Sequence, residues 1–331
     1  MHIPKQMSIQ SRRIFSAVRL SVRPWRDKFS ALKDSAQAKR WGRAVNVFFT
    51  AGILFYLVFR LNAIGWKTLI TAVPSAPAFY VLVFGRFFVS PAFQTFIFSI
   101  LWRHRPHRLF PVFMMKQVFD RDVMDYTGEI YLLVWAKKNL RIPTRQILHI
   151  LKDNTILSSV ASIVLASGWL LVFCCFGPLT VSEDWRNMAA RYTPWIIPCL
   201  SVVIVLFIKL KKSILFLSAK LLWTTYALHT LRLLVGQALL LAQWATAMPD
   251  TPLMKLLTML AVWIVVIQIP LIPSKELLCI GVGVEISGLL GLPASQTASM
   301  LIAAGALNKA INILIVSISL FVRGRKLKVV I

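Results

Sequence analysis

The chain has 331 residues, of which 57% are hydrophobic and 15% charged, and its mean hydropathy of +0.70 excludes an ordinary soluble domain and points to a polytopic membrane protein. The formal charge of +26 comes from 38 Lys and Arg against 12 Asp and Glu. Those basic residues cluster beside apolar runs on one inferred side, which is the positive-inside signature with anionic phospholipid headgroups as partners, and not a nucleic-acid surface.

Residues 1–43 hold eleven Lys and Arg against Asp27 and Asp34 and no secretory core, so they read as a basic cytoplasmic segment, either interfacial or solvated. The transmembrane domain is then 44–322, and 323–331 is a basic cytoplasmic tail. The first span is expected over Val45–Leu61. The second, Ala76–Leu101, carries Arg86, Ser90 and Gln94 at successive i+4 positions, with Pro91 expected to kink or break the helix.

Trp102–Asn154 is too polar to span, and its basic content places it inside. It reads as an acidic turn, an apolar helix from about Glu129, and a helix started by Pro143. Asp120, Asp122 and Asp125 are interleaved with Arg121 and lack a DDxxD pattern, so they read as a solvated, Arg-compensated loop in preference to a Mg²⁺ site. The third span is Ile156–Leu179, a nearly neutral outer loop holds Glu183 and Asp184, and the fourth span is Thr193–Ile208.

Lys209 to Lys220 return the chain inside, where an interfacial helix from Ile214 is expected before a fifth span near Ala227–Met248. His229, Arg232 and Gly236 share one face of that span. The sixth span is Pro252–Ile272, the seventh Leu277–Leu292 and the eighth Ala298–Val322. The expected fold is thus all-α: a polytopic bundle of about eight spans, broken or re-entrant helices included, in the cytoplasmic membrane with both termini cytoplasmic.

Ionisable groups at bilayer depth are costly and usually face a bundle interior or a wet cavity. Glu285 lies between Gly281 and Gly288 on a small-residue face that another helix can approach. Asn308 shares a face with Gly305 and Asn312, with Lys309 one position round. Arg86, Glu129, Arg232, Glu285, Asn308 and Lys309 are therefore the substrate-path residues expected from sequence. No catalytic residue, cofactor motif or metal-ligand spacing is read. Cys174, Cys175, Cys199 and Cys279 read as packing residues.

Three stretches, FRLNAIGW, TGEIYLLVWAKKNLRIPTRQILHILKDN and IPLIPSKELLCIGVGVEISGLLGLPASQTASMLIAAGALNKA, resemble the flippase-like membrane family typified by the transmembrane region of lysylphosphatidylglycerol synthases. The resemblance covers roughly Asn46 to Val322. It implies lipid handling without aminoacyl-lipid synthesis by this chain.

The function expected on these grounds is translocation of an amphiphilic lipid, a phospholipid or a polyprenyl-linked or other pathway lipid, across the cytoplasmic membrane. One alternative is a membrane anchor or accessory subunit of a glycosyltransferase or lipid-modifying enzyme. Another is an integral polyprenyl-dependent transferase, for which the first outer loop, Asn62–Ser75, supplies no Asp or Glu.

Overall fold

A computed structural model describes residues 66–122, 127–140, 142–176, 215–267 and 275–328, together with Phe55, Val58, Phe59 and Asn62. The chain divides into two units, Met1–Phe55 and Tyr56–Ile331. The first lies outside the described residues except for Phe55, and everything below concerns the second.

Its regular elements among the described residues are all α-helices: α1 (Trp66–Thr71), α2 (Pro77–Trp102), α3 (Pro106–Asp122), α4 (Thr127–Asn139), α5 (Thr144–Phe176), α6 (Ala219–Ala247), α7 (Leu253–Ile267), α8 (Lys275–Leu289) and α9 (Ala294–Lys328). Four are long and apolar enough to cross a membrane: α2, the Thr144–Trp169 part of α5, α6, and the Ala294–Ser319 part of α9. With 26 residues, α2 extends about 39 Å at 1.5 Å per residue, more than a hydrocarbon core of about 30 Å.

The expected second, third, fifth and eighth spans correspond to these helices. The third begins earlier than the hydropathy pattern implied, because α5 runs unbroken from Thr144 through the polar Lys152–Asn154 stretch. The fifth is one helix from Ala219, with no separate helix from 214 among the described residues. The expected sixth and seventh spans overlap α7 and α8, which have 15 residues each within the described residues, and 268–274 between them lie outside the description. The expected first and fourth spans lie outside the described residues, apart from Phe55, Val58 and Phe59 in the first.

The spine of the unit is the pairing of α2 with α6, the most extensive helix contact. These helices run antiparallel, since Phe79 and Val83 cluster with Leu240 and Trp244, while Ser90 meets Arg232 further along. Two apolar clusters mark opposite ends. One gathers Phe79, Met248, Leu256, Leu292 and Ala298. The other gathers Trp102, Leu109, Leu140, Ile147 and Leu217. Arg103, Arg105, Arg108, Lys137, Lys138, Arg145 and Lys220 are all sequence neighbours of this second cluster, so positive charge collects at one end of the bundle.

The hairpin of α3 and α4 folds back along α2. Trp135 of α4 stacks against Trp102 at the helix end, ring centres 6.2 Å apart. At the other extreme, Gln117 of α3 reaches the Phe87 carbonyl at 3.0 Å, half-way along α2. The Trp102–Asn154 stretch, expected as two helices after an acidic turn, thus packs into the bundle, with Leu109, Phe113, Leu132 and Ala136 buried against α2 and α5.

Pro91 does not break α2, which is helical throughout Pro77–Trp102. A helical proline deprives the carbonyl four residues earlier of its donor. That carbonyl belongs to Phe87, and the Gln117 amide supplies the missing hydrogen bond at 3.0 Å, as neighbouring helices do for prolines in membranes.

Candidate functional site

Where the hairpin tip meets α2, α5 and α6, a cavity of about 290 Å³ opens between mostly polar side chains. Three of the long helices contribute from near their middles, Ser90 and Gln94 from α2, Asn154 and Ser158 from α5 and Arg232 from α6, and the hairpin from its tip, Lys116, Gln117, Asp120 and Arg121 at the end of α3 and Glu129 at the start of α4. Ser90, Ser158 and Arg232 each lie near the midpoint of a helix able to cross a membrane.

The Arg232 guanidinium bridges three of the four long helices, α2, α5 and α6. Its Nη1 donates to Ser90 Oγ at 3.3 Å and its Nη2 to Ser158 Oγ at 3.1 Å. Its Nε is buried without an acceptor among the described residues. One turn before it, His229 is fully buried and its Nε2 is 3.0 Å from Asn154 Oδ1, which ties α6 to α5. Asp153 next to Asn154 accepts the Phe216 and Leu217 amides at 2.6 and 2.9 Å. The chain entering α6 is thus anchored to the helix that carries Ser158.

The hairpin tip holds the opposite kind of charge. Lys116, 8% exposed, lies 2.7 Å from Asp120 and 3.1 Å from Glu129, one cation between two carboxylates. The tip is built by reciprocal capping. Asp120 Oδ1 accepts the Gly128 amide at 2.8 Å, one of the first-turn donors of α4 that have no acceptor within the helix. Thr127 Oγ1 donates to the Phe119 carbonyl at 2.7 Å in the last turn of α3. Glycine is required at 128, because a Cβ there would lie 2.5 Å from Asp120 Oδ1 and 2.6 Å from the Lys116 carbonyl.

Asp120 is therefore not a solvated loop carboxylate as its sequence context implied. The α4 N-terminus offers it an amide and Lys116 offers it a charge. The side chain of Asp122 and all of Asp125 lie outside the description. Arg121, with its Cζ 5.1 Å from the centre of the Phe87 ring, adds a second cation to the wall. Glu129 titrates above the ordinary carboxylate range because burial disfavours its charge, Lys116 opposing this and Asp120 adding to it.

Of the six residues singled out from sequence, Glu129 and Arg232 line this cavity. Arg86 sits one turn from Ser90 on α2, outside the lining, and Glu285, Asn308 and Lys309 are outside it as well. Glu285 is half-buried on α8 and Lys309 is exposed on α9. Near Glu285, a Cβ on Gly283 would lie 2.5 Å from Leu301 Cδ1 of α9, whereas one on Gly288 would meet open space.

Sequence reasoning missed Lys116, Gln117, Asp120 and Ser158 as cavity residues. A signal was present in Pro91, which demanded a donor for Phe87 from another helix, and in the paired Ser158 and Ser159 inside an apolar run. No family model, curated protein or solved structure matches the chain.

Proposed function

We propose that this integral membrane protein translocates an amphiphile with an anionic head, the head passing through the cavity at Arg232 while the tails remain in lipid. The observation that carries this reading is the guanidinium itself. It lies at the middle of three helices able to span, bonded to Ser90 and Ser158 hydroxyls, and no carboxylate among the described residues is within ion-pair distance of it. A lone cation at that depth costs roughly 2.5–3.5 kcal/mol or more. An anionic headgroup offsets that cost through charge-assisted hydrogen bonds.

The hairpin of α3 and α4 supports the same reading as a re-entrant element that carries Lys116, Asp120, Arg121 and Glu129 from the basic end to mid-depth. The basic end then faces the anionic leaflet of the cytoplasmic membrane, with both termini cytoplasmic. This is also what the resemblance to the flippase-like family implies. Native mass spectrometry of lipid carried through purification tests the reading. Anionic lipid should be enriched on the wild-type protein and depleted on Arg232→Gln, and equal retention of zwitterionic and anionic lipid by both would contradict it.

A further inference from the structure

Net movement of an anion across a membrane builds up an opposing potential unless a compensating ion moves with it, and the hairpin tip holds an arrangement suited to supplying one. Lys116 is shared by Asp120 and Glu129 at 2.7 and 3.1 Å, in the wall of the cavity that also holds Arg232. Asp120 has further work, since its other oxygen caps the Gly128 amide at 2.8 Å. Glu129 is the carboxylate with the fewest structural obligations.

We infer that Glu129 is a proton-exchange site whose protonation turns Lys116 toward the cavity as an anion-binding group, so that one proton accompanies one anionic head. The inference rests on the proposed translocation only for the role of the head, because proton uptake at Glu129 is measurable without transport.

The charge arithmetic favours this direction. With both carboxylates ionised, Lys116 is outnumbered two to one and directed at them. Protonation of a Glu129 oxygen leaves Lys116 balanced by Asp120 alone, and the wall as a whole, with Arg121 and Arg232, becomes more positive by one charge. The neighbours leave Glu129 as the group that changes. From α3 it faces Lys116 and Asp120, with Arg121 one position further. From α5 the cavity receives Asn154, Thr155, Ser158 and Ser159, none of which titrates in the working range. The two charged residues preceding them are engaged elsewhere, Asp153 with the Phe216 and Leu217 amides and Lys152 with Asp153 at 3.4 Å. Across the cavity α6 presents Arg232, and His229 is bonded to Asn154. On α4 itself Tyr131 packs against Phe119, ring centres 5.1 Å apart, and Lys137 and Lys138 lie two turns away at the basic end. Burial, which raises the Glu129 pKa above the ordinary range, brings proton exchange closer to neutral pH.

Linkage supplies the test, because an anion that binds better to the protonated form must raise the proton affinity of Glu129 by the same factor. The full-length protein is placed in nanodiscs of phosphatidylcholine alone or with phosphatidylglycerol. The infrared band of the protonated carboxyl is followed against pH and assigned by its loss in Glu129→Gln. The midpoint should lie above that of an ordinary carboxylate and move upward with phosphatidylglycerol, a shift of about one pH unit corresponding to tenfold tighter anion binding by the protonated form. Asp120→Asn keeps an acceptor for Gly128 and removes a repelling charge, so it should lower the Glu129 midpoint, which provides the assignment if Glu129→Gln fails to fold. A midpoint in the ordinary range, or one indifferent to phosphatidylglycerol, overturns the inference, and wild-type translocation of labelled phosphatidylglycerol would then leave the translocation reading standing. A lipid-dependent midpoint without translocation supports the proton site and sinks the translocation reading instead.

Discussion

Gln117 on α3 donates to the one backbone carbonyl that Pro91 leaves without a partner in α2, that of Phe87, at 3.0 Å. This bond joins the hairpin to the middle of α2 beside the apolar packing of Phe113 on Phe98 and Trp135 on Trp102, at the cavity that Lys116, Asp120 and Glu129 share with Arg232. The two residues should therefore be energetically coupled. Gln117→Leu should destabilise the protein by about 1 kcal/mol. The same change in a Pro91→Ala background should cost much less, because the alanine amide supplies the donor that the Phe87 carbonyl otherwise lacks within its helix. A double-mutant cycle of unfolding in detergent measures the coupling, and equal costs in both backgrounds would show that Gln117 has another role.

Gly128→Ala should open the hairpin tip. The new methyl would sit 2.6 Å from the Lys116 backbone carbonyl, which cannot move without displacing α3. An overpacking cost of about 1–3 kcal/mol follows, together with a weakened Asp120 cap. Thermal unfolding should record the loss, and accessibility of a cysteine placed at Glu129 should rise in the variant.

Stability should depend on pH through Glu129. Its pKa is higher in the folded protein than in the unfolded chain, so between the two values the folded state holds more protons. Stability therefore increases as pH falls through the folded pKa and levels off below the unfolded value. Glu129→Gln removes this segment of the profile and should be the more stable protein at neutral pH. A wild-type profile superimposable on that of Glu129→Gln would refute the assignment.

The basic end should face the cytoplasm. Lys138→Cys, beside Trp135 at the second apolar cluster, should react with a membrane-impermeant maleimide only after permeabilisation. Asp250→Cys, exposed in the α6–α7 turn, should react in intact cells. The reverse pattern would invert the proposed orientation.

Much of the bundle was legible in the sequence because apolar length and helical period act locally: α2 and α9 cover the expected second and eighth spans, and α6 covers the fifth but starts already at Ala219. Of the polar stripes read on α2 and α6, Ser90 and Arg232 meet each other, while His229 meets Asn154 of α5. What was not legible depends on pairing between distant segments. The aspartates near the hairpin tip read as a solvated loop because Glu129 joins the i,i+4 pair of Lys116 and Asp120 only when α3 and α4 are brought together. Glu285 and Lys309 stood out as ionisable residues in apolar runs, but such a position in sequence does not specify which face of its helix turns inward. Neither lines the cavity.

The central claim is that Arg232 offsets the charge of an anionic head at mid-depth. Its most direct measurement is translocation in phosphatidylcholine vesicles carrying fluorophore-labelled phosphatidylglycerol, phosphatidic acid or, as a zwitterionic control, phosphatidylcholine, with dithionite quenching the outer leaflet. The wild-type protein should render the inner pool of an anionic lipid accessible, Arg232→Leu should fold yet lose this by tenfold or more, and Arg232→Lys should retain part of it, keeping the charge without the fork that spans Ser90 and Ser158. A folded Arg232→Leu protein that moves the anionic lipid at the wild-type rate, or a wild-type protein that moves none of them, would contradict the account.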